Sequence, residues 1–274
     1  MTALTFINNQ QTDCVTVQDR GLLYGDGLFE TMLSCHGKLA LWNHHIARLQ
    51  DGCERLAIPP PAQSALRHVI DPQLDSHLHQ IIKIVVTRGA TNRGYRMTKS
   101  LAPNIIISIT EREFRPPAYW SQGIALFSCR TRLAKQPILA GIKHLNRLEQ
   151  VLAAQEWGED YQEGLMCTDD EDMIEGTSHN IFFVKNGALF TPDLSQAGVA
   201  GVMRHYVIEL ARRMQLPVYI KCIQLSELTD MDEVFVTNSI DGILPVRRIG
   251  DTHFQPGKLT RALQAQVAEL IPYQ

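Results

Sequence analysis

"AGIKHLNRLEQVLAAQEW", residues 140–157, sets a single lysine just before a run of helical spacing. Lys143 follows a small, flexible pair. Asn146 and Glu149, three residues apart, have the pattern of a capping box. Leu145, Leu148, Val151 and Leu152 recur at helical spacing. The spacing therefore predicts a helix that starts near Asn146 and buries its leucine face, with one lysine at its mouth. A lone lysine is ordinarily a solvated charge, because burying an unpaired ammonium is costly. The alternative is an amine held neutral so that it can form an imine with an aldehyde. One lysine does not decide between them, so companions are needed.

Upstream of this stretch, "LTFI", "FETMLSC", "IIKIVVTR" and "NIIISIT" read as strands. Between the second and third, the pattern predicts a helix from Asn43 with Ile46, Leu49, Cys53 and Leu56 on one face, ended by "IPPPAQ". "SALRHVI" reads as a second helical segment. "EREFRPPAYWSQG", with Pro116 and Pro117, breaks the pattern and is the expected linker. Beyond it come strand-like "IALFSC", the Lys143 segment, "EGLMCT" and "HNIFFVKNGALFTP". A helix from about Val202 to Met214 follows, then "VYIKC" and "EVFVTN". This order predicts two α/β halves, residues 1–115 and 123–274, joined by a linker at 116–122, each a mostly β layer with helices packed on it.

The 274 residues are 45% hydrophobic with a net charge of −3 and show no basic cluster, so nucleic acid is not an expected partner. The opening residues lack a basic start and a long apolar core, so no signal peptide is expected. "IIKIVV" and "NIIISI" are too short to cross a bilayer. Cys14, Cys35, Cys53, Cys129, Cys167 and Cys222 are scattered without a Cys-x-x-Cys pair, as in reduced cytoplasmic proteins. His77 and His79, and the adjacent His44 and His45, lack the spacing of a chelate, so no metal is expected.

Four further features could serve a cofactor. Arg48 offers a planar fork suited to phosphate, its alternative being a helical surface pair with Asp51. "QAGVAGVMRHYVIELARRM" carries small residues into a helix start, where free N–H groups bind phosphate. Asn238 and Ser239 end a strand and could add a hydroxyl, or simply form a polar turn. Glu175, in "DMIEGTSHNIFFV", is either a turn carboxylate or the partner of a protonated pyridine nitrogen. An amine, two phosphate-gripping elements and one carboxylate are what pyridoxal phosphate requires.

"GIKHLNRLEQVLA", "IEGTSHNIFFV", "HIARL" and "GVAGVMR" together resemble the fold-type IV pyridoxal-phosphate enzymes, and the likeness runs from "DRGLLYGDGLFET" to "VFVTNSIDGILPV". That group includes branched-chain aminotransferases, D-amino-acid transaminases and 4-amino-4-deoxychorismate lyases. "AGIKHLNRLEQVL" is most similar to the lyase branch. The resemblance implies a smaller N-terminal α/β domain and a larger, β-barrel-like C-terminal one. It implies a homodimer, pyridoxal 5'-phosphate as cofactor and a lyase that makes 4-aminobenzoate and pyruvate for folate synthesis. A branched-chain or D-amino-acid aminotransferase is the alternative.

Carried over residue by residue, the resemblance makes Lys143 the Schiff-base lysine, Glu175 the pyridine-nitrogen partner and Arg48 the phosphate arginine. Gly201, Val202 and Met203 stand where relatives have a Gly-Ile-Thr turn. Met203 replaces the threonine, so only the amide role carries over. Ser239 falls where relatives use a hydroxyl against the phosphate. In "TRGATNRGYRM", Arg93 falls on a substrate-carboxylate arginine, and Tyr95 where D-amino-acid transaminases have histidine. "GDGLFETMLS" puts Thr31 at the pocket-facing turn, where it is a candidate acid beside Lys143.

Overall fold

The computed structural model describes residues 3–91, 94–96 and 102–273. The chain divides into two compact units: residues through Glu113 together with Ile142–Asn146, and Phe114–Gly141 together with the chain from Arg147 on. The short segment that holds Lys143 thus belongs to the first unit, although the chain on both sides of it belongs to the second.

The first unit is built on strands β1 (Leu4–Ile7), β2 (Gln10–Gln11), β3 (Gly27–Cys35), β4 (Lys38–Leu39), β5 (His79–Thr87) and β6 (Asn104–Glu111), in the order β2-β1-β6-β5-β3-β4. All its pairings are antiparallel, and β3 pairs with β5 along its whole length, from Gly27 opposite Thr87 to Cys35 opposite His79. Helices α1 (Arg20–Tyr24), α2 (Trp42–Arg55) and α3 (Gln63–Ile70) complete it. The expected face of α2 is buried at Ile46, Leu49 and Cys53, while Leu56 caps the helix. Gly52 lets α2 approach β3 closely, because a Cβ there would come within 2.9 Å of the Leu28 side chain. Asp19 caps α1 and also accepts from Thr87 and Asn104, tying the helix to the ends of β5 and β6.

The second unit contains α4 (Ala118–Ser121), β7 (Ile124–Ser128), α5 (Leu148–Ala153), β8 (Glu163–Cys167), β9 (Met173–Gly176), β10 (Asn180–Lys185) and β11 (Ala188–Pro192). It continues with α6 (Val202–Arg213), β12 (Val218–Lys221), β13 (Glu233–Asn238), β14 (Gly242–Ile249), β15 (Thr252–His253) and α7 (Lys258–Ala268). Pairing runs β10-β13-β14-β7-β8-β9, and Glu175 on β9 then pairs with Asn180 on β10. Six strands therefore close on themselves, the barrel-like form expected of this half. Closure leaves these strands without a free edge. Strands β11 and β12 extend outward from β10. Alternate residues meet in one cluster, among them Ile124 and Leu126, Ile181 and Phe183, Val234 and Val236, and Leu244 and Val246, as the period of two requires.

The helix after Lys143 departs from expectation. It spans Leu148–Ala153 with Arg147 at its N-cap and no side-chain cap. Asn146 Nδ2 instead donates to Gly25 O at 3.1 Å, and Glu149 Oε1 accepts from the Ala134 N–H at 2.9 Å. Each residue of the expected box is drawn off by a partner distant in sequence. The leucine face is open too: Leu148 is 75% exposed, Leu152 56% and Val151 49%, whereas Gln150 and Ala153 are buried. None of the six cysteines, all among the described residues, forms a disulfide. Among the described residues no helix is long and apolar enough to cross a membrane.

Candidate active site

Lys143 sits in an extended strip laid against the start of β3, five residues before its helix. The Phe29 N–H donates to Lys143 O at 2.9 Å, Leu145 N–H donates to Gly27 O at 3.0 Å, and His144 bridges Leu28. Backbone bonds on both sides fix the lysine's Cα, and its Nζ lies 4.4 Å from the centroid of the Phe29 ring. The ring face attracts the amine when it is charged and offers it no proton acceptor.

Thr31 shares the Phe29 face of β3 by alternation and stands opposite Lys83, whose Nζ is 5.4 Å from the same ring. On the other face, Glu30 is buried and accepts from Arg48 Nε at 2.7 Å, Arg48 Nη2 at 2.6 Å and His45 Nδ1 at 2.6 Å. Burial pushes this carboxyl up, but the Arg48 charge and the His45 and Arg48 hydrogen bonds bring it down to about 2. Burial lowers the pKa of His45, and the charges of Arg48 and Lys143 lower it further against the pull of Glu30. His45 therefore donates to Glu30 as a neutral ring, and its buried Nε2 has no hydrogen-bond partner among the described residues.

The alternative for Arg48, a surface pair with Asp51, is not what the structure shows. Asp51 lies 3.8 Å from Arg55, and Arg48 turns inward to the buried Glu30. Tyr95 is exposed, packs 5.3 Å from Tyr24, and its carbonyl accepts from Arg20 Nη2 at 3.2 Å. Arg93 lies outside the described residues.

In the second unit Glu175 is 4% exposed at the end of β9. Its Oε2 accepts from the Val199 N–H at 2.8 Å and from Asn180 Nδ2 at 3.3 Å, and Asn180 Nδ2 also donates to Val199 O at 2.8 Å. Asn180 thus fixes both the carboxylate and the strap that leads into α6. Gly201 is the N-cap of α6 and offers no side-chain cap. A Cβ on Gly201 would stand 1.9 Å from Asn180 Oδ1, so this close approach requires glycine. Val202 and Met203 form the first turn with buried side chains, leaving their amides as the polar groups there. Ser239 is half-buried in the turn between β13 and β14. The Asn238 side chain holds that turn, its Oδ1 accepting from the N–H groups of Ile240 and Asp241 at 2.9 and 2.6 Å.

Glu163 and His179 escaped the sequence reading. Glu163 is buried at the start of β8 and collects the N–H of Gly164 and the N–H and hydroxyl groups of both Thr177 and Ser178. His179 Nδ1 adds a further bond at 2.5 Å. Burial opposes ionisation of this carboxyl, yet the His179 bond and charge and the two hydroxyls hold it at about 2. The signal was present as four consecutive polar residues, Thr177 to Asn180, between two buried strands. Such a run needs a buried acceptor.

Within the first unit, Lys143 offers over the Phe29 ring an amine of the kind that takes an aldehyde, and the buried His45 Nε2 has no hydrogen-bond partner among the described residues. Within the second unit, a buried carboxylate aligned by two N–H donors suits a pyridine nitrogen, and an uncapped helix start at Gly201 suits a phosphate. An N-terminus of this kind favours a phosphate through its free N–H groups and dipole.

The model of the family described as Amino-transferase class IV matches residues 27–249. A crystal structure of 4-amino-4-deoxychorismate lyase from Pseudomonas aeruginosa is 44% identical, covers 97% of this chain and 98% of its own, and superposes with a TM-score of 0.93. Aminodeoxychorismate lyase of Vibrio harveyi is 36% identical over 96% of this chain and 98% of its own. D-alanine aminotransferase of Bacillus licheniformis is 27% identical over 96% of this chain and 94% of its own.

Proposed function

Because this chain belongs to the class IV aminotransferase family, we propose that it is a pyridoxal-phosphate-dependent lyase converting 4-amino-4-deoxychorismate to 4-aminobenzoate and pyruvate. The observation that carries this reading is its greater identity, over nearly full length, to two aminodeoxychorismate lyases than to the D-alanine aminotransferase. When bound, pyridoxal phosphate supplies the electron sink that makes a proton on an amine-bearing carbon removable.

The chain's own residues do the rest. Lys143 would hold the cofactor aldehyde, and its amine would take the proton from the substrate carbon that bears the nitrogen. Its backbone bonds to β3 limit the amine's reach to its own side-chain torsions, which favours transfer at one face. Glu175 holds a proton on the pyridine nitrogen, and its Val199 and Asn180 donors fix the carboxylate in place for that task. Arg48, the amides of Gly201, Val202 and Met203, and Ser239 bind the phosphate. Asn238 serves by holding Ser239 in its turn. Thr31 or Lys143 returns a proton to the departing enolpyruvyl oxygen. Arg93 and Tyr95 orient the substrate carboxylates.

The proposal includes a cytoplasmic homodimer serving folate synthesis. A second copy of the chain is a fitting cover for the exposed leucine face of α5 and for Leu22 and Leu23 on α1, which are 64% and 51% exposed. The experiment is direct: supply 4-amino-4-deoxychorismate and follow both products. Equimolar pyruvate and 4-aminobenzoate support the lyase. Conversion of added D-alanine or branched-chain amino acids with 2-oxoglutarate, without those products, identifies an aminotransferase instead.

A further inference from the structure

His179 is buried at the point where two turns of the barrel end converge. One is the Thr177–Ser178 turn, which follows Glu175 and leads into Asn180. The other is the Asn238–Asp241 turn, which carries Ser239. The imidazole spans them. Its Nδ1 lies 2.5 Å from Glu163 Oε2, the carboxylate that gathers the first turn. Its Nε2 lies 2.8 Å from Asn238 Nδ2 and 3.5 Å from Asp241 Oδ2 in the second. Asn238 and Asp241 also bond to each other at 3.2 Å.

We propose that His179 is a positioning residue that locks the turn behind Glu175 to the turn carrying Ser239, setting the pyridine and phosphate grips of the cofactor site relative to each other. This rests on the assignment of Glu175 and Ser239 to the cofactor. No catalytic contact is assigned to His179. It acts through Asn180 on one side and through the Asn238 turn on the other.

The charges around the ring make the lock sensitive to pH. Glu163 faces it from β8 and Asp241 from the turn before β14. Arg115 lies 3.8 Å from Asp241, and Glu159 and Tyr161 line the same cavity of about 370 Å³. Burial disfavours the imidazolium, but the bonds and charges of Asp241 and Glu163 prevail and raise its pKa to about 9. With a proton on both nitrogens, Nε2 and Asn238 Nδ2 are both donors, so the ring turns from Asn238 towards the Asp241 carboxylate, 3.5 Å away. With the Nε2 proton gone, that nitrogen accepts from Asn238 Nδ2, and the ionic half of the lock is lost. The cofactor grip should therefore loosen as pH rises through the imidazole's titration, by a route that does not involve Lys143.

The test uses pyridoxamine 5'-phosphate, which carries the ring nitrogen and phosphate but cannot condense with Lys143. Its affinity is measured by fluorescence from pH 6.5 to 10 for the parent protein and His179→Gln. The expected result is about tenfold weaker binding by the variant at pH 7.5, with the gap narrowing above pH 9 as the parent loses its own proton. A gap below twofold at pH 7.5 overturns the proposal. So does a gap of equal size at pH 7.5 and 10, which is what a simple packing defect gives. If His179→Gln does not unfold cooperatively, Asp241→Asn replaces it. That variant should move the parent's pH step downward, and an unmoved step overturns the proposal. Failure of the cofactor assignment is distinguishable, because the parent would then not bind pyridoxamine 5'-phosphate at any pH.

Discussion

Glu175 and Asn180 are the register pair through which β9 meets β10, and Asn180 Nδ2 donates to the Glu175 carboxylate across it at 3.3 Å. The contact that closes the barrel is therefore also the contact that orients the proposed pyridine partner. Asn180→Ala should cost about 1–3 kcal/mol of stability, because Val199 O and Glu175 both lose a buried donor. It should also lower turnover by more than it weakens cofactor binding. Urea unfolding beside steady-state kinetics checks both, and a variant with parental turnover would detach Asn180 from the site.

Removing the charge of Glu175 should damage chemistry rather than assembly. Glu175→Gln keeps the shape and the Val199 contact but no longer secures a proton on the pyridine nitrogen. Turnover should fall on the order of a hundredfold, the size of effect seen when one electrostatic partner of a reacting centre is lost. Cofactor absorbance on titration should show binding within a few-fold of the parent. Unchanged turnover with intact absorbance would remove Glu175 from its assigned role.

Much of this was legible in the sequence because it depends on short-range pattern. The runs "FETMLSC", "IIKIVVTR" and "NIIISIT" are strands β3, β5 and β6, and the Ile46–Leu49–Cys53 face of α2 is buried as its spacing required. The helix after Lys143 was misread because its signals are answered from afar. Asn146 bonds to a carbonyl 121 residues away, and Glu149 to an amide 15 residues back. Leu148, Val151 and Leu152 do keep helical spacing, but periodicity reports an apolar face without saying what covers it. Glu163 was missed for a related reason. An isolated acid in "YQEGLMC" gives no sign that six donors from Gly164 and residues 177–179 will converge on it.

Arg48 carries a structural duty besides its proposed one. Arg48→Ala strips Glu30, which is 1% exposed, of its bidentate cation and leaves His45 as its one remaining partner among the bonds described above. Breaking a buried pair from one side typically costs about 3–5 kcal/mol. The variant should therefore lose stability as well as cofactor affinity. Pairing it with Glu30→Gln should recover part of the stability but not the affinity. Unfolding midpoints and phosphopyridoxyl titrations of the single and double variants separate the two duties.

Stability should depend on pH on both flanks. Glu30 and Glu163 are lowered from 4.5 to about 2, so their contribution is complete above pH 4.5 and disappears as pH falls towards 2. For Glu30 alone that contribution is on the order of 3 kcal/mol. His179 is raised from 6.5 to about 9, so its contribution is complete below 6.5 and is lost as pH rises through 9. Urea midpoints measured from pH 2.5 to 10 should show a steep acid limb and a separate alkaline one. The alkaline limb should flatten in His179→Gln, and an unchanged limb would place the titrating group elsewhere.

Lys143, pinned to β3 through its own backbone, is the amine proposed to hold the cofactor. Borohydride reduction of the loaded enzyme, followed by proteolysis and mass mapping, tests it most directly. The expected result is a phosphopyridoxyl group on the peptide containing Lys143 and on no other. The same group on Lys83 or any other side chain, with Lys143 unmodified, would contradict it.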